Sequence, residues 1–261
     1  YFKNEIYRLG KLYDLYYNKV IYEGEYLKGK KNGKGIEYDL KGNIIFEGEF
    51  LNGKKWNGKG EEYDEYNHIK FRGEYLNREK FKGKEFYENS TLMFEGEYFN
   101  GEKFKGKEYY INDKLRFEGE YLNGKMFKGK EYDPHGILIF EGEYLNGKKL
   151  KGKEYNYHGK IIFEGEYLNG KIWNGKANDY DKFGKHNYLF KGEFINGKKW
   201  NGIIYDYKLN LISKLQNGNG TLKEYDEFGN LKFEGKYING EKNGKEYNFY
   251  YNGFSNANFE G

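Results

Sequence analysis

Residues able to carry out covalent chemistry are scarce in this chain of 261 residues. A nucleophile would have to be one of three Ser or two Thr residues, because the sequence contains no Cys. Neither Ser90 nor Ser213 stands in the Gly-x-Ser-x-Gly turn that presents a hydrolase nucleophile. This set of residues does not predict an active site, and we expect a protein without catalytic activity.

Metal chemistry is also weakly indicated. The imidazoles are His68, His135, His158 and His186, and all four stand in short polar segments typical of turns. They lack the His-Glu-x-x-His spacing, or any other paired spacing, with which a protein builds a zinc site. We therefore predict no metal and no cofactor.

Two further motifs resemble catalytic ones. Glu141 and Glu143 have the look of paired glycosidase carboxylates, but the same pair recurs down the chain beside Lys, which predicts a charged surface ladder. Gly58-Lys59-Gly60 resembles a phosphate loop, but no helix follows it to present backbone amides. Both motifs belong to a repeat, so the repeat must be understood first.

The repeat has the pattern F-E-G-E-Y-L-N-G-K and extends over nearly the whole chain. Its first aromatic residue recurs at spacings of 23 to 27 residues and then after a gap of 43, which holds one degenerate unit beginning near Ser213. The first aromatic residues are Tyr22, Phe46, Phe71, Phe94, Phe117, Phe140, Phe163, Phe190 and Phe233. We divide the chain into a half repeat at residues 1–21, an array at 22–258, and the start of a further repeat at 259–261. We expect it to be part of a longer array.

Within one repeat, Phe140-Glu141-Gly142-Glu143-Tyr144 alternates as a half-buried strand does, with both rings on one face. Asn146-Gly147 is a hairpin signal, and Lys151 to Tyr155 would form the return strand. The prediction is an all-β fold: an elongated, single-layer antiparallel meander of about ten repeats of ~23 residues, one hairpin per repeat. The residues leave the hairpin register open between a two-residue turn and a longer loop.

Glycine in the middle of each first strand requires a steric reason, because glycine weakens a sheet. We predict that a neighbouring aromatic ring lies across the bare backbone. On the opposite face, Glu on one strand and Lys on the next should form exposed cross-strand pairs.

Composition limits the class of protein. Aromatic residues make up 21% of the chain, enough to build a core despite 33% charged residues and a mean hydropathy of −1.08. The formal net charge is +4, with acidic and basic residues interleaved, which argues against nucleic-acid binding. No apolar run approaches the ~20 residues of a membrane span.

The sequence resembles MORN repeats, the membrane occupation and recognition nexus family, from Gly10 to Gly261. The resemblance lies in the recurring motif Y-x-G-x-[YF]-x-x-G-x-x-x-x-G-x-G. Most later units depart from that pattern, since the second Gly of the G-x-G pair is replaced by Glu85, Glu108 or an equivalent Glu. The resulting K-G-K-E-Y variant is similar to bacterial antitoxin-like MORN proteins.

The resemblance implies a twisted single-layer β array with an aromatic groove, which acts as a scaffold for protein segments or forms dimers. It also implies a cytoplasmic location, with membrane or cytoskeleton association. The residues themselves allow two interpretations of the aromatic face: rings that pack together as the core, or rings that stay accessible as a groove. The predicted groove consists of Phe46, Phe50, Phe94, Tyr98, Phe117, Tyr121, Phe140, Tyr144, Phe163, Tyr167, Trp56, Trp173 and Trp200.

Several functions stay open at this point. The first is a scaffold that binds a protein partner, or a second copy, along the groove. The second is a peripheral binder of anionic lipid using the Lys-rich turns Lys54-Lys55, Lys148-Lys149 and Lys198-Lys199. An antitoxin-like protein and a carbohydrate binder are further alternatives. The three Trp residues are either covers of a sheet edge or binding hot spots.

Overall fold

The structure is a computed structural model, and it describes residues 8–180, 188–206, 211–225, 231–249 and 255–258. This part of the chain is all-β. The strands are β1 (Arg8–Tyr13), β2 (Val20–Leu27), β3 (Lys30–Tyr38), β4 (Ile44–Leu51), β5 (Lys54–Tyr63), β6 (Ile69–Leu76), β7 (Glu79–Phe86), β8 (Leu92–Phe99), β9 (Glu102–Tyr109), β10 (Leu115–Leu122), β11 (Lys125–Tyr132), β12 (Leu138–Leu145), β13 (Lys148–Tyr155), β14 (Ile161–Leu168), β15 (Lys171–Tyr180), β16 (Tyr188–Ile195), β17 (Lys198–Asp206), β18 (Leu211–Leu215), β19 (Gly220–Tyr225), β20 (Leu231–Ile238), β21 (Glu241–Phe249) and β22 (Ser255–Asn258).

Strands β1 to β18 belong to one antiparallel sheet, and β19 to β22 form a second. The meander predicted from the repeat is thereby confirmed. The chain divides into unit 1, residues 1–127 and 133–136, and unit 2, residues 128–132 and 137–261. No helix in the described ranges has the length and apolar character needed to cross a membrane.

Each hairpin closes through a two-residue turn in which both residues have positive φ. Leu145 pairs with Lys148, and between them Asn146 and Gly147 have φ values of 52° and 76°. These angles are those of a type I′ turn, whose twist matches that of the flanking strands. The structure therefore selects the short turn, which the sequence had left open. At Arg78 a non-glycine residue takes the second position, with a φ of 77°.

The core is a single row of aromatic rings on one face of the sheet, called here the aromatic face. The first ring of a repeat packs edge-to-face against the second ring of its own repeat and against that of the next. Phe71, for example, lies 5.6 Å from Tyr75 and 5.7 Å from Tyr98, measured between ring centroids. Edge-to-face pairs at this distance stabilise beyond their buried area, by ~0.5–1.5 kcal/mol each.

The mid-strand glycines lie beneath these rings, as predicted. A Cβ built on Gly152 would come within 2.6 Å of the Cζ atom of Phe140, and one on Gly142 within 2.2 Å of the Lys151 carbonyl oxygen. No side chain fits in either place. Glycine is therefore required so that the ring can cover two adjacent backbones.

The turns that begin at Asp39, Asp64, Asp133 and Asn156 are held by the side chain of that first residue, whereas Tyr87 and Tyr110 begin two other turns between repeats. The Asp39 carboxylate accepts hydrogen bonds from the backbone N–H groups of Lys41 and Asn43, each 2.8 Å long. Desolvation of the Asp39 carboxylate favours its neutral form, but these hydrogen bonds outweigh that effect and lower the pKa of Asp39. The turns are thus closed locally, and they return the chain to the sheet.

Candidate functional site

The ten Phe and Tyr residues of the predicted groove are buried, with exposed fractions between 0 and 5%. They form the core rather than an open groove. This decides between the two interpretations that the sequence allowed for these rings. The physical reason is that side chains from the return strands lie over them.

The cover consists chiefly of Lys side chains from the second position of most return strands; Met126 and Ile172 take this position in β11 and β15. The Lys103 ammonium lies 4.4 Å from the ring centre of Phe94, and the Lys80 ammonium lies 4.2 Å from that of Phe71. In unit 2 the Lys149 ammonium lies 4.6 Å from the ring centre of Phe140. Each Lys stem covers apolar surface while its charge rests against the face of the ring.

The same Lys residues bind Glu residues on the aromatic face. Lys103 lies 3.0 Å from Glu85, and Lys80 lies 3.0 Å from Glu62, which also accepts a hydrogen bond of 2.7 Å from the Tyr75 hydroxyl. Burial opposes ionisation of Glu62, but the bonds from Tyr75 and Lys80 outweigh it and lower its pKa. Burial, together with the hydrogen bond to Glu62, raises the pKa of Tyr75. Glu85, which replaces the second Gly of the G-x-G pair in its repeat, and Glu62, which follows an intact pair, both hold the Lys cover in place.

This arrangement reduces the charge available at the Lys-rich turns proposed for lipid binding. Lys55, Lys149 and Lys199 lie over Phe46, Phe140 and Phe190 respectively. They are the second residue of each Lys pair, and among the first residues Lys198 also has a partner, since its ammonium lies 2.6 Å from the Glu241 carboxylate.

Two kinds of junction connect one hairpin to the next. At an even junction one Gly pairs on both sides, as Gly83 does with Gly73 and with Gly96. At a stepped junction the register moves by two residues: Gly58 pairs with Gly48 on one side but with Tyr75 on the other. The stepped pairing is described at five junctions, where a return-strand Gly faces the second core residue of the next hairpin: Gly33 faces Phe50 at β3–β4, Gly58 faces Tyr75 at β5–β6, Gly175 faces Phe194 at β15–β16, Gly202 faces Leu215 at β17–β18, and Gly220 faces Tyr237 at β19–β20.

The step brings the next turn alongside the preceding return strand. At β5–β6, β15–β16 and β17–β18 the return-strand residue beside the turn is Trp, and at β3–β4 and β19–β20 the carbonyls of Lys31 and Gly218 accept the corresponding hydrogen bonds, from Gly53 and Gly240. The backbone carbonyls of Trp56, Trp173 and Trp200 accept hydrogen bonds from Arg78, Gly197 and Gly218 of the following turns, 2.8 to 2.9 Å long. The Arg78 guanidinium also lies 5.4 Å from the ring centre of Trp56. The three Trp residues are half-buried.

An Asn after each Trp binds the same turn. The Asn57 side-chain oxygen accepts a hydrogen bond of 2.9 Å from the backbone N–H of Asn77, and Asn174 accepts one of 2.9 Å from Asn196. Asn201 binds Asn217 in the same way, at 2.8 Å. We call this contact the asparagine clamp.

At even junctions the third residue of the return strand is Phe or Leu, and it is exposed. In unit 1 it joins the exposed residue that precedes the hairpin turn, and together these side chains are between 41 and 68% exposed. The set, called here the apolar stripe, consists of Leu76, Phe81, Phe99, Phe104, Leu122 and Phe127. At ~150–250 Å² for a fully buried ring, these fractions amount to several hundred Å², a size at which exposed apolar patches mark interaction sites.

The apolar stripe lies on the opposite face from the core, near the hairpin turns. Phe99 directly follows the core residue Tyr98 along β8 and therefore points to the other face. Phe104 is the extra residue of a β-bulge, because Tyr98 pairs with Lys103 and Glu97 pairs with Lys105. The rings of Phe99 and Phe104 lie 6.2 Å apart, which places both on that face.

Charged residues complete the face that bears the stripe. The predicted cross-strand pairs are present: Lys84 lies 3.5 Å from Glu95 in unit 1, and Lys153 lies 3.6 Å from Glu164 in unit 2. Both pairs are largely exposed, so each contributes less than ~1 kcal/mol. This face therefore combines an apolar row with a mixed-charge surround.

Sequence reasoning missed the apolar stripe because it followed the strongest alternation, F-x-G-x-Y, and assigned the rings to a groove. A signal for the stripe was present. Phe81 and Phe104 stand where Trp56 stands in its own repeat, and their repeats are 23 residues long rather than 25. A repeat of 23 residues lacks the two additional residues that shift the register at the junction after Trp56.

The described His residues lie in the segments that connect one repeat to the next. The backbone N–H of His68 donates to Asp64 over 2.8 Å, and that of His158 donates to Asn156 over 3.0 Å. In the described ranges no three His, Cys, Asp or Glu residues are grouped closely enough to hold a metal ion. His186 lies outside those ranges.

Comparison with known proteins adds little. No protein-family model matches this chain, and no curated protein does. Among solved structures it is similar to one described as the crystal structure of TcdB2-TccC3 without its hypervariable C-terminal region, with a TM-score of 0.22 and 8% identity. The match covers 95% of this chain and spans 17% of the other. Similarity at this level carries no argument, and the resemblance to MORN repeats stays a prediction.

Proposed function

We propose that this protein is a non-catalytic repeat scaffold that binds a protein partner through the apolar stripe of unit 1. The observation that carries the proposal is the exposure of six large apolar side chains in adjacent hairpins, where the covering turn of a stepped junction is lacking. Burial of such a row is the usual driving force of protein association. The proposed binding surface is therefore the face opposite the aromatic groove that the sequence predicted.

The surroundings of the stripe favour a protein over other partners. Acidic and basic residues alternate beside it, as in the pair of Lys84 with Glu95. A mixed-charge rim around an apolar centre is the usual composition of a protein interface. A nucleic acid or an anionic membrane would instead favour a surface of one positive sign.

The test is site-specific photo-crosslinking in the cell of origin. A benzophenone side chain replaces Phe104 in the stripe or, as the matched control, Tyr157, which is 54% exposed but lies in a turn between repeats. We expect a discrete protein adduct at Phe104 and none at Tyr157. Adducts of equal yield at both positions would refute the stripe as the binding site.

The identified partner is then titrated against the purified chain. Replacing Phe99 and Phe104 together by Ser should weaken its binding by roughly 30-fold or more, because central aromatic residues dominate interface energetics. Replacing Glu95 and Lys84 by Ser should change binding by less than about fivefold. An adduct of this chain with itself would identify the partner as a second copy.

The other candidate functions have specific outcomes in the same work. Binding to anionic vesicles that is unchanged by the two Phe substitutions would favour the lipid alternative. A crosslinked partner that is a toxin, and that the chain inhibits, would make the protein antitoxin-like. Both alternatives are compatible with the fold described above, because they differ from the proposal only in the molecule that the protein binds.

A further inference from the structure

The hairpin turns of unit 2 carry a further kind of chemistry, because several of them contain the dipeptide Asn-Gly. The backbone nitrogen that follows Asn can attack the Asn side-chain amide, and glycine leaves that nitrogen unhindered because it has no Cβ. The turns Asn146-Gly147, Asn169-Gly170 and Asn196-Gly197 also share their neighbours, with Leu or Ile before Asn and Lys after Gly. Their intrinsic reactivity is therefore closely matched.

These three turns have the same backbone conformation. The φ values of the Asn residues are 52°, 54° and 52°, and those of the Gly residues are 76°, 78° and 75°. In each turn the two flanking strand residues pair with one another, as in a two-residue type I′ turn. Any difference in reactivity must therefore come from the contacts around the turn.

The turn at Asn196 is bound to the preceding return strand, β15. The Asn196 N–H donates to the Asn174 side-chain oxygen over 2.9 Å, and the Gly197 N–H donates to the Trp173 carbonyl over 2.8 Å. Both bonds depend on the stepped junction β15–β16. The nitrogen that would attack the Asn196 side chain is thus itself a hydrogen-bond donor to the sheet.

The turns at Asn146 and Asn169 follow even junctions and lack this attachment. Among the residues that the structure describes, no acceptor binds the N–H group of either Asn or of the Gly that follows it. A Cβ built on Gly147 would meet nothing within 4 Å, and one on Gly170 would meet the Lys148 Cβ at 3.7 Å. Both turns are exposed and free to open.

The Asn-Gly turns that follow even junctions in unit 1 have a carboxylate beside them. A Cβ built on Gly101 would lie 2.6 Å from a Glu79 carboxylate oxygen, and one on Gly124 would lie 2.8 Å from that of Glu102. A nearby negative charge disfavours removal of a proton from the glycine amide. The two open turns of unit 2 are therefore the more reactive ones.

We propose that Asn146 and Asn169 are sites of spontaneous deamidation in the folded protein, and that two hydrogen bonds protect Asn196. The Gly nitrogen loses its proton to hydroxide and attacks Cγ of Asn; the N–Cγ bond forms, the Cγ–Nδ2 bond breaks, and ammonia leaves after taking a proton from water. Water then adds to one of the two carbonyls of the succinimide ring, which gives Asp or isoaspartate according to the C–N bond that breaks. This inference is independent of the apolar stripe, which lies in unit 1.

Ring closure requires the turn to open, because the five-membered ring holds the ψ angle of Asn at a value that a type I′ turn does not have. At Asn196 this opening also breaks the bonds to Asn174 and Trp173. Two hydrogen bonds of ordinary strength correspond to a rate ratio of roughly tenfold or more. Either product adds a negative charge at the hairpin turn, and isoaspartate also lengthens the backbone of the turn by a methylene group.

The test is a time course of the full chain at mildly alkaline pH, with its peptides separated by chromatography and identified by mass spectrometry. We expect Asn146 and Asn169 to convert faster than Asn196 by roughly tenfold or more in the folded protein. In urea, where no turn is attached, the three should convert at similar rates because their neighbours match. Equal rates in the folded protein would overturn the proposal, as would an absence of conversion at Asn146 and Asn169 while the chain in urea converts.

Substitution of the asparagine clamp tests the cause of the protection. Asn174→Ala removes the acceptor for the Asn196 N–H, so it should raise the Asn196 rate several-fold and leave the Asn169 rate unchanged. Lys151→Ala, the matched change at an even junction, should leave both rates unchanged. An Asn196 rate that Asn174→Ala does not change, or an equal rise at all the turns, would overturn the assignment of protection to the clamp.

Discussion

Trp200 and Phe104 occupy the same place in their hairpins, the third residue of a return strand, yet they have different surroundings. Trp200 is half-buried, because the turn that begins the next hairpin lies against it and Gly218 donates a backbone hydrogen bond to its carbonyl. Phe104 is 48% exposed, because the next turn lies two residues nearer the start of its strand. A register step of two residues thus decides whether the apolar residue at this position is packed against a turn or exposed to solvent.

The contrast has a functional meaning. In a meander each hairpin contacts only its neighbours, so a local change of register alters one junction and leaves the rest of the array intact. Even junctions leave apolar residues exposed, and stepped junctions cover the strand with a turn and an asparagine clamp. Under the function proposed above, one repeat sequence would thereby provide both binding and structural segments.

The largest effect is expected from adding a methyl group at the two kinds of turn. Gly147 and Gly218 have nearly the same φ, 76° and 74°, so Ala is strained by ~1–2 kcal/mol at each. A Cβ on Gly147 meets nothing within 4 Å, whereas one on Gly218 would be 2.6 Å from the Gly240 backbone nitrogen and 2.8 Å from Trp200. We expect Gly218→Ala to destabilise by about 3–4 kcal/mol and Gly147→Ala by about 1–2.

Urea unfolding followed by circular dichroism measures both variants against the parent chain. The prediction depends on the difference between the two, since strain at positive φ is common to both. Equal midpoints for the two variants would show that the stepped turn is not packed against Trp200.

A smaller effect is expected from removing one clamp. Asn174→Ala removes the acceptor for the Asn196 N–H, which should destabilise by about 1 kcal/mol, because that group is exposed and water replaces the lost acceptor. Lys151, at the same position of an even junction, is the matched control, and Lys151→Ala should change stability by less than about 0.5 kcal/mol. Hydrogen exchange at the Asn196 amide checks the assignment, because it should accelerate in the first variant only.

The smallest effect is expected from the ion pairs, which both kinds of junction contain. The pKa of Glu62 is lowered in the folded state, so the pair stabilises above the unfolded pKa and loses that contribution as the pH falls through the folded value. Because Glu62 is 43% exposed, its contribution should be no more than a few tenths of a kcal/mol. We expect Glu62→Gln to lower stability slightly near neutral pH and not at about pH 3.

Comparing urea midpoints for Glu62→Gln and Tyr75→Phe at the two pH values separates the contributions. Tyr75→Phe removes one donor to Glu62 and should also reduce the pH dependence. A pH dependence unchanged in both variants would exclude Glu62 as a contributor.

Much of the fold follows from short-range pattern. Alternation in Phe140 to Tyr144 predicts a strand, Asn146-Gly147 predicts the turn, and a Gly between two aromatic residues predicts a ring across the backbone. All three are confirmed, because each depends on backbone geometry within a few residues. The binding surface was harder to predict. Whether Phe94 is open or covered depends on Lys103, which belongs to the other strand of its hairpin.

The amino-acid sequence alone determined that this protein is a series of antiparallel hairpins with one apolar face, because strand alternation and turn chemistry are local properties. Only the tertiary structure decided which face is covered and where apolar side chains stay exposed. Those outcomes depend on how one hairpin is registered against the next, and on how far a Lys side chain reaches across the sheet. Neither quantity is fixed by the residues of a single repeat.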